Sequence, residues 1–198
     1  MAIRTARKGR GAATNEVGRF ERFKRHAIDD GWGSIDEDLP RLATEVLPDK
    51  SRTAITYNNS PDIPFDRSIN AFRGCEHGCV YCYARPTHAY LGLSPGQDFE
   101  SKLFAKFDAA KLLKKELGKK NYKCRAIALG TNTDPYQPIE QKLEITRQIL
   151  EVLDAHNHPV TIVTKSSRII RDLDILSRMA ERNLVFAALS VTTLDRDL

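Results

Sequence analysis

Three of the chain's four cysteines fall inside the stretch RGCEHGCVYCYARPTH, at Cys75, Cys79 and Cys82, with the spacing C-x3-C-x2-C. The fourth, Cys124, stands apart. Clustered thiols in a chain long enough to bury its own core argue for a metal site in a reducing compartment, the cytoplasm by default, and against a secreted disulfide framework. Two kinds of centre compete on chemistry alone. Zinc takes four ligands, and His77, His88 or Cys124 could complete a site begun by three thiolates. Structural zinc sites, however, mostly pair two C-x2-C knuckles, or C-x2-C with H-x3-H. An iron–sulfur cluster is normally held by four thiolates, so three leave one iron with a vacant position, the arrangement of a metal that binds a small molecule.

The elements that must position these groups can be read from the pattern. Residues 1–62 read as a basic N-terminal extension, partly disordered, with Trp32 anchoring it. Residues 63–198 read as the core. SINAF is a short strand leading into the cysteine loop, and SKLFAKF is an apolar segment that could be a strand. Asp108 is placed to cap a helix that runs to Leu117 and stops at Gly118. CRAIALG reads as a buried strand ending in the turn TNTDPYQP. A helix follows over residues 140–154, with Leu143, Ile149, Leu150 and Leu153 on one face. Pro159 blocks its continuation and introduces the β-branched strand VTIVT. Ile169, Leu173, Leu176 and Met179 mark another amphipathic helix, and LVFAALSV reads as a strand covered on both faces.

Strands separated by helices of this length predict βα units, a parallel sheet and right-handed crossovers. Functional groups then collect after the C-terminal ends of strands. The cysteine loop, TNTD, TKSS and SVTT all follow strands, which predicts that they share one face.

The net charge of +5 is unevenly spread: residues 1–25 hold eight Lys or Arg against Glu16 and Glu21. Such an arm is either a solvated, partly unfolded segment or an electrostatic handle for nucleic acid. There is no run of eighteen apolar residues, which predicts no membrane span, and the basic start lacks the apolar stretch of a secretory signal. No glycine-rich phosphate loop, H-E-x-x-H or nucleophile elbow occurs. Cys124 reads as a buried, apolar-like thiol, His77 as a neighbour of the cluster loop, and His156 and His158 as partners of a helix end.

C-x3-C-x2-C with an aromatic, Tyr81, just before the last cysteine resembles the signature of the radical S-adenosylmethionine (radical SAM) superfamily. GCEHGCVYCYARPTH, GTNTDPYQPIE, TKS, SVTT and the opening RGAATNEVGRFE look like the subgroup related to spore photoproduct lyase, and the resemblance covers nearly the whole chain. It implies a partial (β/α) barrel of about four βα units with an N-terminal extension, within the α/β class. It implies that Cys75, Cys79 and Cys82 bind three irons of a 4Fe–4S cluster and that the fourth iron takes the amino and carboxylate groups of S-adenosylmethionine. One electron, from a donor such as flavodoxin or ferredoxin, would then cleave the sulfonium to methionine and a 5′-deoxyadenosyl radical, the cofactors supplying the difficult chemistry.

The same resemblance puts Tyr81 near the cluster or adenine, a plain core aromatic being the alternative. TNTD takes the place of the family's contact with the methionine end of the cofactor, so Thr131, Thr133 and Asp134 offer oxygens to an ammonium; otherwise they form a turn held by local bonds. Lys165 matches a lysine that approaches the cofactor carboxylate, or is an exposed loop lysine. Ser190 matches a ribose or carboxylate contact, or is a small residue that permits close packing. Cys124 matches no motif cysteine of the family.

The family barrel has about six βα units, whereas this chain stops after the fourth strand, which reads as a truncated or partial sequence whose last strand is left as an uncovered apolar edge. The function expected is therefore that of a radical enzyme or a shortened form of one, lyase-like by resemblance, with an unassigned substrate and nucleic acid as one option. The alternative is a non-catalytic zinc or structural-cluster module that docks on nucleic acid through its basic arm.

Overall fold

The computed structural model describes residues 10–22 and 42–195. These fold into two units that interleave along the chain: residues 10–22, 42–47 and 73–104 form the first, and residues 48–72 and 105–195 the second. Trp32, and the basic residues before Arg10 and after Arg22, lie outside the described residues.

The second unit is built on a five-stranded sheet. Its strands are β2 (Thr56–Tyr57), β3 (Arg67–Ile69), β6 (Ile127–Leu129), β7 (Val160–Thr164) and β8 (Val185–Leu189), in the order β2-β3-β6-β7-β8. β2 pairs antiparallel with β3, and β3, β6, β7 and β8 are mutually parallel, with Ala128 opposite Thr161 and Thr161 opposite Phe186. The helices that return the chain are α2 (Ala109–Leu117), α3 (Glu140–Leu143), α4 (Ile145–Ala155) and α5 (Leu173–Glu181), the last preceded by a 3-10 turn, Ser167–Asp172. α2 packs on α4, α4 on α5, and α5 on β8. Leu113, Ile127, Ile149, Leu150, Leu153, Ile162 and Met179 are buried between these elements. The class is mixed α/β, and among the described residues the sheet stays open, with β2 and β8 as edges, rather than closing into a barrel.

Several local expectations need correction. The single helix over residues 140–154 is two helices, because Glu144 adopts a left-handed φ of 51° between them. The cause is Glu140, fully buried, whose carboxylate accepts the N–H groups of Ile145 at 3.0 Å and Thr146 at 2.9 Å. It thereby satisfies the orphan donors that open α4. Burial pushes the Glu140 carboxyl up to about 7, against the opposing pull of Arg171 at 2.9 Å. Leu143 consequently falls off the buried face that Ile149, Leu150 and Leu153 share. Leu173 opens α5 half-exposed, while Ile175 takes its expected place in the core. Asp108 stands at the start of α2 without a side-chain capping bond, and Gly118 ends it in ordinary right-handed conformation. The last strand is not covered on both faces: Phe186 and Leu189 of β8 are 64% and 59% exposed, because among the described residues β8 is an edge of the sheet, with α5 packed on it.

In the first unit the strands β1 (Glu45–Pro48), β4 (Phe72–Arg73) and β5 (Lys102–Ala105) pair in the order β1-β5-β4. A 3-10 helix, Arg85–Leu91, and α1 (Gln97–Ser101) pack together. Phe99, Ala84 and Cys75 form a small buried cluster, with Cys82 against it. SKLFAKF thus holds a strand, β5, entered directly from α1. Residues 10–22 are not a solvated arm. Arg10 to Asn15 bond to α1 and its neighbours, and Arg19 lies over the rings of Phe20 and Tyr90, 4.8 and 5.6 Å from their centroids. Among the described residues no helix is long and apolar enough to cross a membrane.

Candidate active site

The cysteine loop leaves β4 through Gly74 and ends in the 3-10 helix. Cys75 is buried; Cys79 and Cys82 are partly exposed, and none of the three is in a disulfide. The backbone holds them in place: Cys75 N–H donates to the Phe99 carbonyl at 2.9 Å, and Cys82 N–H to the Cys79 carbonyl at 3.2 Å. Arg85 Nε donates to the Cys79 carbonyl at 3.0 Å, and the same guanidinium pairs with the fully buried Glu100. Sequence reasoning missed both Arg85 and Glu100, since a charged pair across fifteen positions carries no local signal. Tyr81 is 64% exposed, so the core-aromatic alternative is overturned. Val80, Tyr83 and Tyr90 are exposed too.

Of the zinc-completing candidates, His88 is fully buried, and its Nε2 donates to the Lys102 carbonyl at 2.9 Å. Its Nδ1 has no hydrogen-bond partner, and burial lowers its pKa. Cys124 is exposed and precedes β6 rather than being buried within it, a correction that follows from the shortness of that strand. Among the described residues no three His, Cys, Asp or Glu side chains converge on a position for a single metal ion. A cluster offers each thiolate a different iron, so its ligands need not converge. Three soft sulfur donors on one short loop fit that group.

In the second unit the loops TNTD, TKSS and SVTT leave the ends of the parallel neighbours β6, β7 and β8 and come together there. Asp134 joins the first two. Its Oδ1 accepts from Thr164 Oγ1 at 2.6 Å and Tyr136 N at 2.9 Å, and its Oδ2 from Lys165 N at 2.8 Å. TNTD therefore makes long-range bonds, to Thr164, Lys165, Phe72 and Asn70, besides the local bonds of the turn alternative. Thr133 is buried, its hydroxyl donating to the Phe72 carbonyl at 2.8 Å. Thr131 reaches Asn70, whose Oδ1 also accepts Asn132 N at 3.1 Å. Asn70 lies between β3 and β4, where the expected single strand SINAF is broken. Lys165 is exposed, and its Nζ donates to Ser190 Oγ at 3.2 Å. The structure thus links Asp134, Lys165 and Ser190 through polar contacts and adds Thr164 to them, while Thr131 pairs separately with Asn70. Gly130 allows the approach: its φ is 85°, and a Cβ there would overlap the Val163 carbonyl oxygen. His156 does bond the end of α4, through Nδ1 to the Val152 carbonyl at 2.7 Å. His158 also meets the helix end, its backbone N–H donating to the Leu153 carbonyl at 2.9 Å, while its buried ring takes the Tyr122 hydroxyl at 2.7 Å.

A model of the radical SAM superfamily matches residues 69–198, from the end of β3 through the cysteine loop to β8. The chain belongs to the radical SAM superfamily. This radical SAM chain is 39% identical over 140 residues to uncharacterized proteins of Mycobacterium tuberculosis and Mycobacterium bovis, over 71% of its own length and 41% of theirs. It is 28% identical over 136 residues to an uncharacterized protein of Methanocaldococcus jannaschii, over 69% of its length and 48% of that relative's. The chain therefore spans less than half the length of these curated relatives. No solved structure matches it.

Proposed function

We propose that Cys75, Cys79 and Cys82 bind three irons of a 4Fe–4S cluster and that S-adenosylmethionine docks at the fourth. The observation that carries this reading is the set of three thiols on one loop, none in a disulfide and with no fourth cysteine on that loop, within the segment that the superfamily model matches. Bound there, the two cofactors supply one-electron cleavage of the sulfonium C–S bond and a carbon radical able to take hydrogen from a substrate. The protein's own part is to bind and orient. Lys165 carries a cation suited to the methionine carboxylate, with Ser190 Oγ beside it. Asp134 fixes the backbone of Lys165, and its carboxylate, like the Thr131 hydroxyl, is an acceptor of the type that suits an ammonium. Thr133, its hydroxyl spent on a carbonyl, holds the loop rather than the ligand. Tyr81 offers an exposed ring beside Cys82 for adenine or for a partner.

The motifs RGAATNEVGRFE, GTNTDPYQPIE and SVTT support kinship with spore photoproduct lyase, and with it a lyase-type outcome, a low-potential donor such as flavodoxin or ferredoxin, and a nucleic-acid substrate. The test is anaerobic reconstitution of the full chain with iron and sulfide. About four irons and four sulfides per chain are expected, with S-adenosylmethionine altering the electron paramagnetic resonance of the reduced protein. Cys79→Ala should lose the cluster, and Cys124→Ala should keep it. A colourless chain that retains zinc, or equal iron in wild type and Cys79→Ala, overturns the reading.

A further inference from the structure

The sequence left the opening RGAATN without a role beyond its charge, yet within the first unit it makes a dense set of contacts. Glu100 on α1 is fully buried, and its carboxylate accepts Gly11 N at 3.1 Å and Ala12 N at 2.8 Å. The same carboxylate pairs with Arg85, which in turn holds the Cys79 carbonyl at 3.0 Å. One side chain therefore joins the opening segment to the turn that carries a cysteine. Arg10 donates to the Glu100 carbonyl oxygen and to Glu76, the residue after Cys75, at 3.0 Å. Gly11 packs backbone on backbone: a Cβ there would overlap the carbonyl oxygen of Gly78, which lies between Cys75 and Cys79 with a φ of 64°. Downstream, Gln97 N donates to the Thr14 carbonyl at 3.1 Å, and Asn15 exchanges two hydrogen bonds with Asp98, at 3.1 and 2.9 Å.

A tether for a terminus needs only tolerant surface contacts. Here one bond ends on Glu76, between the first two cysteines, and the backbone of Gly11 meets Gly78, while most other bonds end on α1 and enlist a carboxylate that is costly to bury unless its partners are all present. We propose that residues 10–15 form a strap that holds the three-thiol loop in its ligating shape and covers its Gly78 side from solvent, with Arg10, Gly11 and Glu100 as positioning residues. The proposal rests on the cluster reading only for its cofactor consequence; the strap itself is defined in the metal-free chain.

The experiment uses the full-length chain and two variants, Gly11→Val, which cannot approach Gly78, and Asn15→Ala, which loosens the strap without steric conflict. Circular dichroism establishes that each is folded. In the metal-free protein, alkylation by iodoacetamide is followed for each cysteine by mass spectrometry. Cys79 should react about tenfold faster in Gly11→Val, and to a smaller extent faster in Asn15→Ala, as local opening is made easier; the exposed Cys124 should react at an unchanged rate. After anaerobic reconstitution, the variants should show an altered electron paramagnetic resonance line shape and faster bleaching in air at unchanged initial iron content. A general loss of fold would move neither signal in this selective way. Equal Cys79 reactivity in wild type and both variants overturns the strap. A wild type that takes up no iron and sulfide overturns the cluster reading instead, and the alkylation comparison still decides the strap. If Gly11→Val fails to fold, Asn15→Ala carries the same comparison.

Discussion

Replacing Asp134 by alanine removes the joint of the polar loops, and its cost can be worked from the donors left behind. Three groups lose their acceptor: the Thr164 hydroxyl at 2.6 Å, Lys165 N at 2.8 Å and Tyr136 N at 2.9 Å. Lys165 is exposed, so its N–H finds water. Thr164 is 1% exposed and Tyr136 fully buried, so their donors do not. Stranding two buried donors costs about 1–3 kcal/mol each, which gives a loss of about 2–4 kcal/mol after partial relaxation. Urea unfolding should register it as a midpoint lower by about 1–2 M, for a slope of about 2 kcal/mol per molar. Thr164→Val is also destabilising, because Thr164 Oγ1 accepts Ser166 N at 3.0 Å as well. The double variant should cost less than the two single losses combined by about 1–2 kcal/mol, since the two side chains share one bond. Strict additivity, or an Asp134→Ala midpoint equal to wild type, would refute the assignment of Asp134 as the loops' structural joint. It would leave Asp134 as a surface carboxylate whose contacts are energetically idle.

Gly130→Ala should be destabilising by about 2–4 kcal/mol, from a disfavoured left-handed backbone plus overlap with the Val163 carbonyl oxygen, and a melting curve superimposable on wild type would contradict this. Stability should fall as the solution is acidified through the ordinary histidine range. Burial lowers the pKa of His88 and of His158 in the folded state, so the unfolded chain binds protons first, and the contribution is whole above about pH 6.5 and lost below it. His158 donates from Nδ1 to the Pro159 carbonyl at 3.0 Å and accepts the Tyr122 hydroxyl on Nε2, a satisfied neutral ring. His158→Gln should flatten the slope of stability against pH by up to one proton, and an unchanged slope would count against that role.

The cysteine loop was legible in the sequence because its signal is local: three thiols at fixed spacing, with glycines to turn the chain between them. VTIVT and the Ile149–Leu153 face were legible for the same reason, as short periodic patterns that report burial directly. The break at Glu144 was not, because it depends on a carboxylate four positions earlier that folds onto the next helix start and on Arg171 from a distant turn. Nor was the exposure of Phe186 and Leu189: an apolar run reads the same whether its strand is central or at an edge, and only the order of strands distinguishes the two.

By itself, then, the sequence determined where three thiols cluster, the alternation of strands and helices in the second unit, and that TNTD, TKSS and SVTT follow parallel strands, whereas the cysteine loop leaves β4 of the other sheet. These depend on residue type and on spacings shorter than one element. Tertiary structure alone decided that Asp134 ties the TNTD loop to the TKSS loop and that Glu100 fastens the opening segment to the cysteine turn. Both are carboxylates, Glu100 fully buried and Asp134 partly so, that accept from donors thirty to ninety positions away, and pairings across that separation follow from how the backbone packs, which no local pattern encodes.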